Sequence, residues 1–288
     1  MIRRRFRPAP PLAGTYRPFR ALLGNYEAEL TRDERDNAGG TEREEAAEFL
    51  RAAMGTAPMR YCHNFCRSVD PNRVPEDEGA FLGLLRRIWF GPYRRRGGAS
   101  PSSSPNSSGF EHVFVGEVDR GGPGAHEAEG GGERGVGGSV LGLHNWIQIY
   151  LEERRGNIDY RGFVRPKRRS RPAAADGEST TAAATYDERK GSRTPPDGMD
   201  RILTIQFTWN GAVKYVGTTL IGVSPEFELA LFTTVFLVGR RGGRGDDPAT
   251  FLEDSTTGRR IELDARCFPI AGGKVGTCYL ESPAQGGG

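Results

Sequence analysis

The sequence predicts an α+β fold, with a helical layer at the N-terminus followed by mixed antiparallel sheets and helices. Three observations carry that expectation. Apolar residues before residue 90 recur at helical spacing. Short β-branched segments alternate with further helical segments after residue 110. The stretches between them are too polar and glycine-rich to join a core. The chain has 288 residues, 41 of them glycine, about twice the number that a usual share of roughly 7% would give. Hydrophobic residues make up 36%, and 40 Lys and Arg against 37 Asp and Glu leave a formal net charge of +3. So small an excess does not by itself indicate a nucleic-acid partner. No apolar run of about 18 residues is present to cross a membrane, and the glycines follow no collagen period.

Residues 42–53 combine strong helix formers, with Thr41 as the N-cap. Phe81, Leu84, Leu85 and Ile88 recur at intervals of three and four, which predicts a second helix over 79–89. The Gly, Ser, Pro and Arg of residues 94–109 then read as a loop or insertion, and 110–118 as a strand. After a glycine-rich surface loop at 121–138, Leu143, Trp146, Ile147, Tyr150 and Leu151 form one apolar helix face, stopped by Gly156. Strands follow at 158–164 and 201–209, separated by a polar insertion that includes the basic run 165–171. Ser224-Pro225-Glu226 supplies an N-cap, an N1 proline and a first-turn acid for a helix over 227–238. Two closing strands are expected at 260–269 and 274–280. The organisation is therefore a basic tail over 1–13 and one domain over 14–285, with low-complexity insertions near 94–109, 120–139, 165–199 and 239–249.

The acid-free, Arg-rich start lacks the apolar centre of a secretory signal, so a cytoplasmic or nuclear protein is expected, with a transit peptide left open. Cys62, Cys66, Cys267 and Cys278 are too few for a secreted framework, and reduced thiols are the expectation. Cys62, His63 and Cys66 have no second closely spaced pair to complete a zinc site, and read as half-buried residues of a helix. Three familiar signatures fail. Gly272-Gly273-Lys274-Val275 lacks the earlier glycine and the following Ser or Thr of a phosphate loop. Gly222-Val223-Ser224-Pro225-Glu226 has Glu226 where a nucleophile elbow turns on glycine. The glycines before Leu143 do not follow the first strand of a dinucleotide fold.

Two histidines stand in ordered, chemically rich contexts, His112 and His144, and Lys214 lies in a third ordered segment. Two imidazoles and an ammonium suit intramolecular RNA cleavage. There one group takes the proton of the attacking 2′-hydroxyl, another protonates the departing 5′-oxygen, and a cation stabilises the phosphorane. Spacing alone does not select this from other two-histidine chemistry.

The motifs do. Gly109-Phe110-Glu111-His112-Val113-Phe114-Val115-Gly116-Glu117, then Leu143-His144-Asn145-Trp146-Ile147-Gln148 with Asp159-Tyr160-Arg161-Gly162, form the first part of the pattern. Ile221-Gly222-Val223-Ser224-Pro225-Glu226-Phe227-Glu228-Leu229-Ala230-Leu231 and Gly276-Thr277-Cys278-Tyr279 complete it. Together they resemble the EndoU family of poly(U)-specific endoribonucleases, over a span from about Tyr16 to Tyr279. The resemblance implies a two-lobed fold and a catalytic trio of His112, His144 and Lys214. His144 is assigned as general base and His112 as general acid, and nothing in the sequence forbids the exchange. Glu111 and Glu117 are assigned to orient or charge His112, to contact substrate, or to help hold a metal. Thr218 is expected to hydrogen-bond a uracil edge and Tyr279 to stack on a base or ribose. The implied reaction is cleavage of uridine-rich single-stranded RNA to a 2′,3′-cyclic phosphate by a monomer, with Mn²⁺ and without a membrane. The metal ligands are unknown, and with no compact ligand set visible Mn²⁺ is expected to act through the RNA. The alternative is an RNA-binding protein of the same fold that has lost turnover, through an insertion that misplaces His112.

Overall fold

The computed structural model describes residues 14–26, 28–30, 41–95, 105–120, 137–163, 202–239, 249–253 and 260–281. The tail 1–13, the basic run 165–171 and most of each glycine-rich insertion lie outside them. Helices α1 (Tyr16–Leu22), α2 (Thr41–Met54), α3 (Ala57–Val69) and α4 (Glu78–Phe90) form the expected helical layer. Each presents one apolar stripe: Ala46, Phe49, Leu50 and Ala53 on α2, and Phe81, Leu84, Leu85, Ile88 and Trp89 on α4. Asp77 caps α4 by accepting the Ala80 N–H at 2.7 Å. On α3, Cys62 and Cys66 are fully rather than half buried, and His63 stacks on Phe81 with ring centroids 4.1 Å apart. His63 is thus a packing residue, its Nε2 2.7 Å from the Pro75 carbonyl oxygen.

A five-stranded sheet has the order β1-β2-β5-β4-β3, built from β1 (Glu117–Asp119), β2 (Ser139–Leu141), β3 (Ile158–Phe163), β4 (Ile202–Trp209) and β5 (Ala212–Leu220). All its pairings are antiparallel except β2 with β5. A separate antiparallel sheet holds β6 (Ala249–Glu253), β7 (Arg260–Ile270) and β8 (Lys274–Glu281). Helix α5 (Trp146–Arg155) packs on β3, and α6 (Pro225–Val238) packs on α3 and β7. The fold is α+β, as the sequence predicts. One apolar cluster runs through helices and sheets, centred on Phe19, Phe49, Trp89, Phe110, Phe114 and Phe232.

Three expectations are corrected. The segment carrying His112 is a π-helical turn over Glu111–Val115, and only Glu117–Asp119 is strand. Phe110, Val113 and Phe114 are all buried, and their spacing of three and one is helical. Ser224 stands at the N-cap of α6 without a side-chain capping bond; its backbone oxygen accepts the Phe227 N–H at 3.1 Å. Cys267 and Cys278 are directly opposed on β7 and β8, 4.1 Å apart at Cα, and form a disulfide instead of remaining reduced.

Candidate active site

His112 projects from the π-helical turn. That turn ends at Gly116, whose N–H donates to the Glu111 carbonyl at 2.8 Å and whose φ of +94° a side chain rarely adopts. The turn brings Glu117 back beside the imidazole, with Nδ1 of His112 2.7 Å from Glu117 Oε2. Glu117 is fully buried, also pairs with Arg95 Nε at 3.1 Å, and accepts the Ser107 hydroxyl. Burial works to raise its carboxyl, but Arg95, His112 and Ser107 outweigh that effect and hold it below the usual carboxylate range. With a carboxylate at Nδ1, that nitrogen donates and Nε2 is left to face the reaction side, where Thr277 Oγ1 lies at 3.1 Å.

His144 is tied to His112 through the backbone. The Leu143 N–H donates to the His112 carbonyl and the His144 N–H to the Val113 carbonyl, both at 3.0 Å. Approach this close requires a glycine at 142. A Cβ there would lie 1.7 Å from the His112 oxygen, and φ is +63°. Leu143 adopts the left-handed region too, at φ +58°. For a leucine this costs about 1–2 kcal/mol, and the complete burial of its side chain offsets the strain. Gly142→Ala is therefore expected to lower stability by about 2–4 kcal/mol through combined strain and overpacking, and to pull the two histidines apart. Urea unfolding beside an activity assay checks this; an unchanged midpoint would contradict it.

Strand β8 reaches both histidines. Thr277 touches His112, while Tyr279, two residues on and so on the same face, stacks on His144 with centroids 5.9 Å apart and planes at 27°. Lys214 is completely buried on β5, the middle strand of the larger sheet, which also packs against β8. It pairs with Phe207, so both side chains share a sheet face. That face is covered by α5, the helix that starts two residues after His144. Tyr160 packs on Phe207 and donates to Glu153, while Trp209 donates to Glu152. Lys214, Phe207 and Trp209 thus share the sheet face that α5 covers.

Thr218 does not join them. A bulge in β5 between Lys214 and Gly217 inserts one residue and reverses the alternation, so Gly217 shares the Lys214 face and Thr218 bonds Thr204 on the other, at 3.1 Å. Glu111 is buried in the π-helical turn, its N–H donating to Ser108 Oγ at 3.2 Å. Among the described residues no three His, Cys, Asp or Glu side chains cluster to hold a metal, and Glu117 is committed to Arg95, His112 and Ser107. The site as described does not fit a protein-held Mn²⁺.

Arg95, Ser107 and Thr277 are the site residues that sequence reasoning missed. Arg95 and Ser107 lie at the two ends of a segment whose composition reads as an insertion. Both ends are in fact ordered, with Asn106, Ser107, Ser108 and Gly109 buried and Tyr93 bridged to Ser107.

Comparison with known proteins agrees with this architecture. A family model described as Endoribonuclease XendoU matches residues 12–248. The chain belongs to the XendoU endoribonuclease family. Family relatives include poly(U)-specific endoribonuclease-B of Xenopus laevis, 37% identical over 78% of this chain and 61% of its own length. The uridylate-specific endoribonuclease of Homo sapiens is 33% identical over 77% of this chain and 41% of its own. The chain thus spans about three fifths of the length of the Xenopus relatives it matches. The solved structure titled "The structure of XendoU: a splicing independent snoRNA processing endoribonuclease" superimposes with a TM-score of 0.57. It is 31% identical, covering 93% of this chain and 78% of that one. The family match ends before β7 and β8, so Thr277 and Tyr279 lie beyond it. Among the described residues no helix is long and apolar enough to cross a membrane.

Proposed function

We propose that the chain is an endoribonuclease that cleaves single-stranded RNA at uridines. The observation that carries this reading is the pair of backbone hydrogen bonds locking His112 and His144 together, with β8 laid against both. His144 takes the proton of the ribose 2′-hydroxyl as that oxygen bonds to phosphorus. Nε2 of His112 delivers a proton to the 5′-oxygen as the P–O5′ bond breaks, leaving a 2′,3′-cyclic phosphate. Lys214 faces the extra negative charge on the phosphorane. Tyr279 offers its ring to the uracil or ribose. Glu117 holds the His112 ring by its contact with Nδ1. His112 and Lys214 are fully buried here, so RNA binding entails opening of the site. Any Mn²⁺ dependence belongs to an ion carried by the RNA phosphates.

A uridine-containing oligonucleotide with a fluorophore and quencher, assayed with Mn²⁺ and with chelator, tests the reading. His144→Ala and Lys214→Ala are each expected to slow cleavage by about 10²–10⁴-fold, and a 2′-deoxyuridine at the scissile position to abolish it. Tight RNA binding by the parent protein without cleavage would instead establish the alternative of a binding protein that has lost turnover.

A further inference from the structure

Asn145 follows His144 directly and caps α5, its Oδ1 accepting the N–H groups of Ile147 and Gln148, each at 3.0 Å. Asp or Ser caps a helix about as well as Asn, so capping alone does not explain an amide at this position. The other end of the side chain does. With Oδ1 committed to two donors, Nδ2 is aimed at Glu228 and donates to its carboxyl group inside the protein. An Asp in its place has no N–H to give, so an amide is the group that both caps the helix and donates to Glu228.

Glu228 is equally out of place unless it serves Asn145. It lies in α6 between Phe227 and Leu229, is completely buried, and has Asn145 as its stabilising hydrogen-bond partner. An acid buried this way costs stability compared with an apolar residue of similar size. Two more bonds tie the same triplet down: His144 N–H to the Val113 carbonyl at 3.0 Å and Trp146 Nε1 to the Val223 carbonyl at 2.7 Å. The segment 223–228 therefore docks on 144–146 through one backbone and one side-chain acceptor.

We propose that Glu228 is a positioning residue for His144: by holding Asn145 it fixes the start of α5 and with it the direction in which the His144 imidazole points. The proposal rests on the cleavage reading for its consequence in turnover, but its geometry can be tested without RNA.

Glu228→Leu, which removes the acceptor, is expected to lower kcat by about tenfold to a hundredfold, the scale of a small misplacement of a catalytic group, with little change in KM. Glu228→Gln, which still accepts from Asn145, should stay within a few-fold of the parent. The imidazole resonances of His144, followed by NMR in RNA-free protein, should move in Glu228→Leu and stay in place in Glu228→Gln. Glu228→Met, which removes the acceptor in a side chain of similar length, should move the same resonances even if Glu228→Leu does not fold. Equal impairment of the Leu and Gln variants, or resonances unmoved once the acceptor is removed, would overturn the proposal. A parent protein that does not cleave RNA would overturn the cleavage reading alone, since the resonances decide the positioning role independently.

Discussion

Glu117→Gln is expected to lower folding stability by about 3–5 kcal/mol, the usual cost of removing one partner of a buried ion pair. It is also expected to slow cleavage by about 10²–10⁴-fold. The carboxylate faces three groups: the His112 ring nitrogen, the Arg95 guanidinium and the Ser107 hydroxyl. A glutamine has one oxygen to offer them, and its amide hydrogens then meet groups that are themselves donors. Arg95, only 13% exposed, keeps hydrogen bonds to Tyr93 and Gly276 but loses its counter-charge. His112 loses the acceptor that fixes its tautomer, so the loss should fall on kcat more than on KM. The pH response follows from the lowered carboxyl. The stability that Glu117 supplies is fully present above its unfolded value near 4.5 and is lost as the pH falls through the lower folded value. Urea unfolding at neutral and acid pH, with single-turnover cleavage, measures both effects. A variant as stable and as active as the parent would remove Glu117 from the site.

Helices α2 and α4 are legible in the sequence because their buried residues keep an uninterrupted spacing of three and four, whereas α5 and α6 bury consecutive residues (146–149 and 228–233) and are legible from their ends, Gly156 after α5 and Ser224-Pro225-Glu226 before α6. Helix α3 keeps the same spacing in Met59, Cys62, His63 and Cys66, but Tyr61, Phe65 and Val69 are apolar and exposed, which blurs its stripe. Strands β1 and β2 have three residues each, too few for an alternating pattern to show.

In the site, His112 and His144 are visible because whole motifs surround them, and Lys214 because it stands in a third ordered segment. What makes them a unit is long-range. Thr277 meets His112 across 165 positions and Asn145 meets Glu228 across 83, and no local pattern encodes such pairings. Thr218 shows the opposite failure. A spacing of four from Lys214 implies a shared strand face, and a single bulge residue, invisible in composition, places the two on opposite sides.

The stability of the parent protein is expected to fall between about pH 4.5 and pH 8 because of Glu228, and Glu228→Gln is expected to flatten that slope. Burial pushes the Glu228 carboxyl from 4.5 up to about 8, against a smaller opposing effect from the Asn145 hydrogen bond. In that window the folded protein holds a proton that the unfolded chain has released, so each rise in pH favours unfolding. The contribution is fully present below pH 4.5 and is lost as the pH passes the folded value near 8. At about 1.4 kcal/mol per unit, the whole loss is on the order of 5 kcal/mol. Tyr16 also has its hydroxyl raised, by burial first and then by Glu226 and Glu228, which moves its ionisation above 10 and out of the window. The glutamine side chain of the Glu228→Gln variant is neutral throughout and still accepts from Asn145, so the two proteins should differ little at pH 5 and by several kcal/mol at pH 9. Urea unfolding of both across that range is the measurement. A difference that stays constant with pH would mean that Glu228 is ionised in the fold, and that Asn145 meets a carboxylate at neutral pH.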